Sequence, residues 1–200
     1  MNLLITTIGD YNHADVWQAG QMDFDIVLID YRKEPTFKYP GIADRLKRIG
    51  EYDYYWMPDE DILLETSEIN RLFRMMADHK LHLAQPSLEK SSRSFISWPQ
   101  FEHDPAGPEI KPTDFVEVTC PCFSREALIK CLPIFHKSHS GWGLDLVWPK
   151  LINYLGMAII NGIVVQHTRP VMGGKLYAAL KAKGITPGGE MKALKQEYGI

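Results

Sequence analysis

Three consecutive carboxylates, Asp59, Glu60 and Asp61, follow directly on the aromatic run YDYYWMP at residues 52–58. Like charges this close repel one another, and gathering them at the edge of a core is unfavourable unless a cation sits there. Carboxylate oxygens are hard ligands suited to Mn²⁺ or Mg²⁺. Alternate residues of an extended segment point the same way, so Asp59 and Asp61 can share one target while Glu60 points elsewhere. A solvated acidic turn has the same short pattern, and both readings stay open on these residues alone.

The second group is Gly141-Trp142-Gly143-Leu144-Asp145. Its glycines permit close backbone approach, and Trp142 offers a flat apolar face to a sugar ring. Asp145 is either a site residue or a carboxylate balancing a helix dipole. The third group is Val164-Val165-Gln166-His167-Thr168-Arg169. His167 at the end of a buried strand is a structural histidine or a metal ligand. Behind it, Arg169, Gly173, Gly174 and Lys175 can wrap a diphosphate, through forked guanidinium bonds, a point charge and free backbone N–H groups. His136 and His139 flank a polar loop, where they are solvated or touch a substrate. Cys120-Pro121-Cys122 lacks the spacing of a zinc pair, and Cys131 fits a helical apolar face. No Walker loop, nucleophile elbow or Gly-x-Gly-x-x-Gly fingerprint is present.

The elements that must position these groups read as short apolar strands alternating with helices. Strands are expected at Leu3–Ile8, Phe24–Asp30, Tyr52–Met57, Leu81–Ala84 (stopped by Pro86), Phe95–Trp98, Phe115–Thr119 and Ala158–Val165. Helices are expected at Ile42–Ile49, after a cap at Thr66, at Arg125–Phe135 capped by Ser124, at Leu144–Leu155, and in the basic segments Lys175–Ala182 and Met191–Tyr198. Glu102–Pro112 reads as a loop. This order argues an α/β sheet covered on both faces, whose ligands bind at the carboxyl ends of strands. Asp10, Asp30 and the acidic turn fall at such ends.

The chain has 200 residues, 45% hydrophobic and 24% charged, enough for one ordered domain. Its formal charge of −3 argues against nucleic acid or an anionic membrane as partner. That figure averages 11 basic and 16 acidic groups in residues 1–100 against 11 basic and 9 acidic in residues 101–200, of which 6 basic and 2 acidic lie in residues 169–200. No apolar run approaches the ~20 residues of a membrane span, and no secretory leader is seen. Three cysteines make an odd count, which points to a reducing, cytoplasmic setting.

Taken in order, YDYYWMPDED, FVEVTCPCFSREAL, GWGLD and VVQHTRPV resemble a plant and bacterial family of unknown function once labelled lysine-ketoglutarate reductase trans-splicing related. That family looks like nucleotide-diphosphate-sugar glycosyltransferases of the GT-A fold. The resemblance implies one GT-A-like domain over 1–200, with a mixed, mostly parallel sheet flanked by helices. Residues 1–100 would form its nucleotide and metal half, 101–168 its sugar and acceptor half, and 169–200 a basic tail. It implies a metal-dependent, hexosyltransferase-type enzyme that moves a sugar from a nucleotide-sugar, a uridine-diphosphate sugar first among them, to a saccharide or other hydroxyl acceptor. Asp59, Asp61 and His167 would hold Mn²⁺ or Mg²⁺. Trp142, Gly143 and His139 would face sugar and acceptor, with Asp145 as base if the reaction inverts. Thr7, Asp30, Arg169 and Lys175 would serve the nucleotide and diphosphate. The alternatives are an inactive nucleotide-sugar-binding module and a metal-dependent nucleotidyl- or phosphoryl-transfer enzyme.

Overall fold

A computed structural model describes residues 1–47, 51–90, 92, 99–170 and 175–200. Its strands are β1 (Asn2–Ile8), β2 (Phe24–Asp30), β3 (Tyr54–Trp56), β4 (Ile62–Leu63), β5 (Leu83–Leu88), β6 (Ile110–Pro112), β7 (Cys122–Ser124) and β8 (Met157–His167). Its helices are α1 (Ala14–Trp17), α2 (Lys38–Leu46), α3 (Thr66–Asp78), α4 (Arg125–Cys131), α5 (Leu144–Leu151), α6 (Leu176–Ala182) and α7 (Pro187–Tyr198), with 3₁₀ turns at Pro99–Phe101 and Leu132–Lys137.

Among the described residues the strands form one mixed sheet in the order β2-β1-β3-β7-β5-β8-β4, with β6 also on β8. The long pairings, β1 with β2 and β5 with β8, are parallel, as is β1 with β3. The pairings of β7, β6 and β4 are antiparallel and short. Strand alternation divides the core between two faces. Leu4 of β1 joins Trp17, Trp56, Ile69, Leu72, Phe73 and Met76 beneath α1 and α3. Leu3 and Ile5 point the other way, toward Ile42, Phe123, Phe135 and Trp148 beneath α2, α4 and α5. The α/β class and helix-flanked mixed sheet follow from this arrangement.

Several boundaries differ from expectation for identifiable reasons. Phe115–Thr119 is not a strand. The Glu117 N–H donates to Gln85 Oε1, and the carbonyls of Val118 and Thr119 accept from Lys38, Tyr39 and Asp59, so no ladder can form there. Within the expected loop Glu102–Pro112, residues Ile110–Pro112 instead pair with β8. Leu81–Ala84 does not stop at Pro86: β5 runs to Leu88, because β7 pairs only with Leu83 and Ala84 and asks no N–H of Pro86. α2 begins at Lys38, with Pro40 in its first turn, where a missing N–H costs nothing. The helix after Ser124 turns to 3₁₀ at Leu132, next to Pro133, while the Ser124 cap forms as expected, its Oγ accepting from Ala127 N–H at 3.2 Å. Thr66 is not a cap but the first residue of α3; its buried hydroxyl donates to the carbonyls of Val16 and Trp17 and accepts from the Gly20 N–H. The expected strand Phe95–Trp98 and the glycines Gly173 and Gly174 lie outside the described residues.

Candidate metal and diphosphate site

The site grows from the short strand β4. Ile62 is in register with His167, and this antiparallel pairing carries Asp61 to the end of β8. Both the N–H and the hydroxyl of Thr168 donate to the Asp61 carbonyl, at 3.0 and 2.9 Å, which pins the two segments together. His167 Nε2 then lies 3.5 Å from Asp61 Oδ1, both side chains being buried. Asp59 is brought in from the opposite side by its N–H, which donates to the Thr119 carbonyl at 2.6 Å. One ligand atom each from Asp59, Asp61 and His167 fall within 4.8 Å of one another. Two carboxylates and an imidazole gathered this closely form a donor set whose chemistry fits Mn²⁺ or Mg²⁺. The chain therefore has a candidate metal-binding group, made of the three residues expected for it.

Internal cations already neutralise these carboxylates. Lys38 Nζ donates to Asp59 Oδ1 at 2.6 Å and to the carbonyls of Val118 and Thr119. Arg169 donates through Nε to Asp61 Oδ2 at 2.9 Å and through Nη2 to Glu60 Oε1 at 2.7 Å. Enclosure raises the Asp59 carboxyl above its ordinary range; Lys38 opposes this and Asp61 adds to it. Glu60 turns away from the metal group, not by strand alternation but because Glu60 and Asp61 form a turn closed by the Ile62 N–H, which donates to the Asp59 carbonyl at 3.1 Å. It accepts from the Gly9 N–H and from Tyr31 Oη, and burial raises its carboxyl despite Arg169. A Cβ at Gly9 would lie 1.8 Å from the Tyr31 hydroxyl oxygen, so any larger residue there would displace the Tyr31 ring tip.

These groups line a cleft of about 260 Å³ over the carboxyl ends of β1 and β3. Thr7, Trp142, His139, Arg169 and Lys175 all reach it, as does the unforeseen Tyr177. Trp142 and Tyr177 share a side-chain hydrogen bond. Lys175 Nζ meets Asp10 at 2.5 Å at the exposed rim. His139 packs edge-on to Phe37 at 5.0 Å, with Nδ1 3.0 Å from Glu190. Three expected residues do not line the cleft. Asp30 is forked to Arg32 at 2.7 Å on both oxygens, and that guanidinium holds its carboxyl down at about 2. Tyr31, the residue after β2, lines the cleft wall instead.

Gly143 caps α5 at φ +89°, and a Cβ there would lie 2.9 Å from Met191 Cα. Its close approach is to α7 rather than to the cleft. Gly143→Ala is expected to destabilise the fold by about 2–3 kcal/mol, through the left-handed backbone and the displaced helix. A thermal melt reads this, and an unchanged melting temperature would contradict it.

Asp145 sits in the first turn of α5. Burial raises its carboxyl to about 7, and the charge of Glu117 adds to this, against backbone N–H groups that favour the anion. Glu117 itself lines the cleft and is raised by burial. A carboxyl raised in the folded state binds more protons there than in the unfolded chain. Stability is therefore lost as pH climbs from the ordinary value of 3.8 through about 7. Asp145→Asn should consequently melt higher than the parent at pH 8, with the gain fading toward pH 4. An equal gain at both pH values would contradict this environment.

Sequence reasoning missed Lys38, Glu117, Tyr31 and Glu190. Only Glu117 stood in a segment already singled out, FVEVTC; the others gain their roles by contacts across the fold. Among the described residues, no helix is long and apolar enough to cross a membrane.

No protein-family model matches the chain, and no curated protein matches it. Among solved structures, the crystal structure of A197 from STIV aligns with a TM-score of 0.44 and 11% identity, over 84% of this chain and 85% of that one.

Proposed function

We propose that the cleft binds a nucleoside-diphosphate sugar and, with Mn²⁺ or Mg²⁺ on Asp59, Asp61 and His167, transfers the sugar to a hydroxyl acceptor. The observation that carries this reading is the convergence of those three residues at the strand ends. Cationic Arg169 and Lys175 and the flat faces of Trp142 and Tyr177 line the same cleft. Breaking a sugar–diphosphate bond leaves a diphosphate that gains negative charge, and a divalent ion would supply Lewis-acid stabilisation of that charge. Arg169 and Lys175 add forked and point-charge contacts to the phosphates. Thr7 and Tyr31 at the ends of β1 and β2 face the nucleotide. Trp142 stacks on the sugar, with His139 beside the acceptor. The acceptor proton passes to the carboxylate pair of Glu117, on the cleft wall, and Asp145; a carboxyl near 7 is well matched to that task.

The test is incubation of the protein with a panel of nucleotide-sugars, with and without Mn²⁺, following release of nucleoside diphosphate. Mn²⁺-dependent release from a uridine-diphosphate sugar, increased by an alcohol acceptor, supports the reading. Binding without release or transfer would instead indicate a binding module. Pyrophosphate release from a nucleoside triphosphate, with no need for a sugar, would indicate nucleotidyl transfer.

A further inference from the structure

We infer that Arg169 is a built-in counter-cation that holds Asp61 against divalent ions until a diphosphate draws its guanidinium away. This rests on the donor-site reading above and specifies how the site takes its ligands: the metal and the diphosphate together.

The guanidinium bridges two neighbouring carboxylates, Asp61 at 2.9 Å and Glu60 at 2.7 Å. Those side chains are only 8% and 10% accessible and the guanidinium 24%, so water screens the pairing weakly. The same Asp61 carboxylate faces His167 and completes the candidate metal group. An incoming divalent ion therefore meets a ligand whose charge is already balanced. Displacing Arg169 from Asp61 without giving it another anion would leave it one carboxylate short, with Glu60 as its remaining charged partner and the Tyr11 ring 5.0 Å away. A diphosphate removes that obstacle. It offers the guanidinium the planar, two-oxygen partner to which it is best fitted, and offers the metal additional oxygens.

Lys38 is placed differently. Its ammonium satisfies Asp59 and two backbone carbonyls together, and exchange would break three hydrogen bonds at once. It positions Asp59 and stays. Arg169 is the mobile half of the pair: it is a quarter exposed, it lines the cleft, and both of its charged partners are carboxylates. Its main chain is held by the neighbouring Thr168, tied to the Asp61 carbonyl, so a side-chain rotation suffices for the exchange. By thermodynamic reciprocity, whatever the diphosphate does for the affinity of the metal, the metal does for that of the diphosphate.

Calorimetric titration of the full chain with Mn²⁺, alone and with UDP, tests this once corrected for the Mn²⁺–UDP complex formed in buffer. The parent should bind Mn²⁺ alone roughly tenfold or more weakly than with UDP. Arg169→Met should bind Mn²⁺ alone roughly tenfold tighter than the parent, with most of the coupling to UDP lost. Equal or weaker Mn²⁺ binding by Arg169→Met would overturn the inference. If UDP fails to bind, the donor reading falls, but the comparison of Mn²⁺ alone still decides the role of Arg169. Should Arg169→Met not fold, the parent answers by ¹⁵N spectra of its arginine side chains. The Arg169 Nε–H signal should be unmoved by Mg²⁺ and should shift with Mg²⁺ plus UDP. A shift with Mg²⁺ alone, or none with both, would overturn the inference.

Discussion

Asp61→Asn should lower Mn²⁺-dependent UDP affinity by about 100-fold, at or beyond the upper end of what outer contacts to a metal contribute. The substitution keeps the side-chain shape and the backbone carbonyl that anchors Thr168. It removes the anion that faces His167 at 3.5 Å and pairs with Arg169 at 2.9 Å. Two of three candidate ligands then remain, and the charge that attracts the cation is reduced. The weak affinity for UDP without metal should persist or rise, because Arg169 is freed from one carboxylate. Glu60 still holds the guanidinium, so the melting temperature should fall only modestly. Titration of UDP with and without Mn²⁺ reads both quantities. Retention of Mn²⁺-dependent affinity would exclude Asp61 as a ligand.

Glu190→Ala should be among the most destabilising substitutions outside the core. Glu190 reaches from α7 into the loop that carries His139 and Trp142, and its side chain is only 12% accessible. It accepts from the backbone N–H groups of His139 and Ser140, at 2.8 and 2.9 Å, and from Ser140 Oγ at 2.6 Å. His139 Nδ1 and Ser138 Oγ complete the set. Hydrogen bonds to a charged acceptor contribute roughly 1.5–3 kcal/mol each and do not add fully, so a loss of about 3 kcal/mol is expected. For a chain of this size that is a fall of roughly 6–12 °C in melting temperature. The sign of the pH dependence follows from the carboxyl. Burial raises it, but hydrogen bonds from Ser140 and His139 outweigh burial and leave it below its ordinary value of 4.5. The stabilisation is therefore fully present above that value and disappears as pH falls through the lowered one. Parent and variant should differ at pH 7 and converge in strong acid. A constant difference across pH would place the effect in packing rather than charge. Because the released loop carries His139 and Trp142, nucleotide-sugar affinity should weaken together with stability.

The acidic turn was legible because three carboxylates at the end of a buried aromatic run have few stable explanations. Alternation assigned Asp59 and Asp61 a common side, which the fold supplies through a turn instead. His167 was legible as a strand end, but not the pairing that brings it to Asp61. The strand responsible, Ile62–Leu63, is two residues long and too short to show a period. The roles of Lys38 and Glu190 depend on contacts across the fold, 21 and 51 positions along the chain, and nothing local marks either residue. Phe115–Thr119 misled for a related reason. Its alternating pattern suits a strand, but its carbonyls serve Lys38, Tyr39 and Asp59 instead of a ladder. The helix α3 was the easier case, because its apolar face Ile69, Leu72, Phe73 and Met76 follows from period alone and is buried as expected. Local periodicity thus located the scaffold, whereas the partners that tune the site come from tertiary pairing.

The most direct test of the account is a crystal structure of the protein with Mn²⁺ and UDP, with the metal located by its anomalous scattering. The account predicts one Mn²⁺ bound by Asp59, Asp61 and His167 and by the diphosphate, with the Arg169 guanidinium moved from Asp61 onto phosphate oxygens. A Mn²⁺ bound elsewhere, or UDP seated in the cleft with Arg169 still on Asp61 and no metal on the three residues, would contradict it.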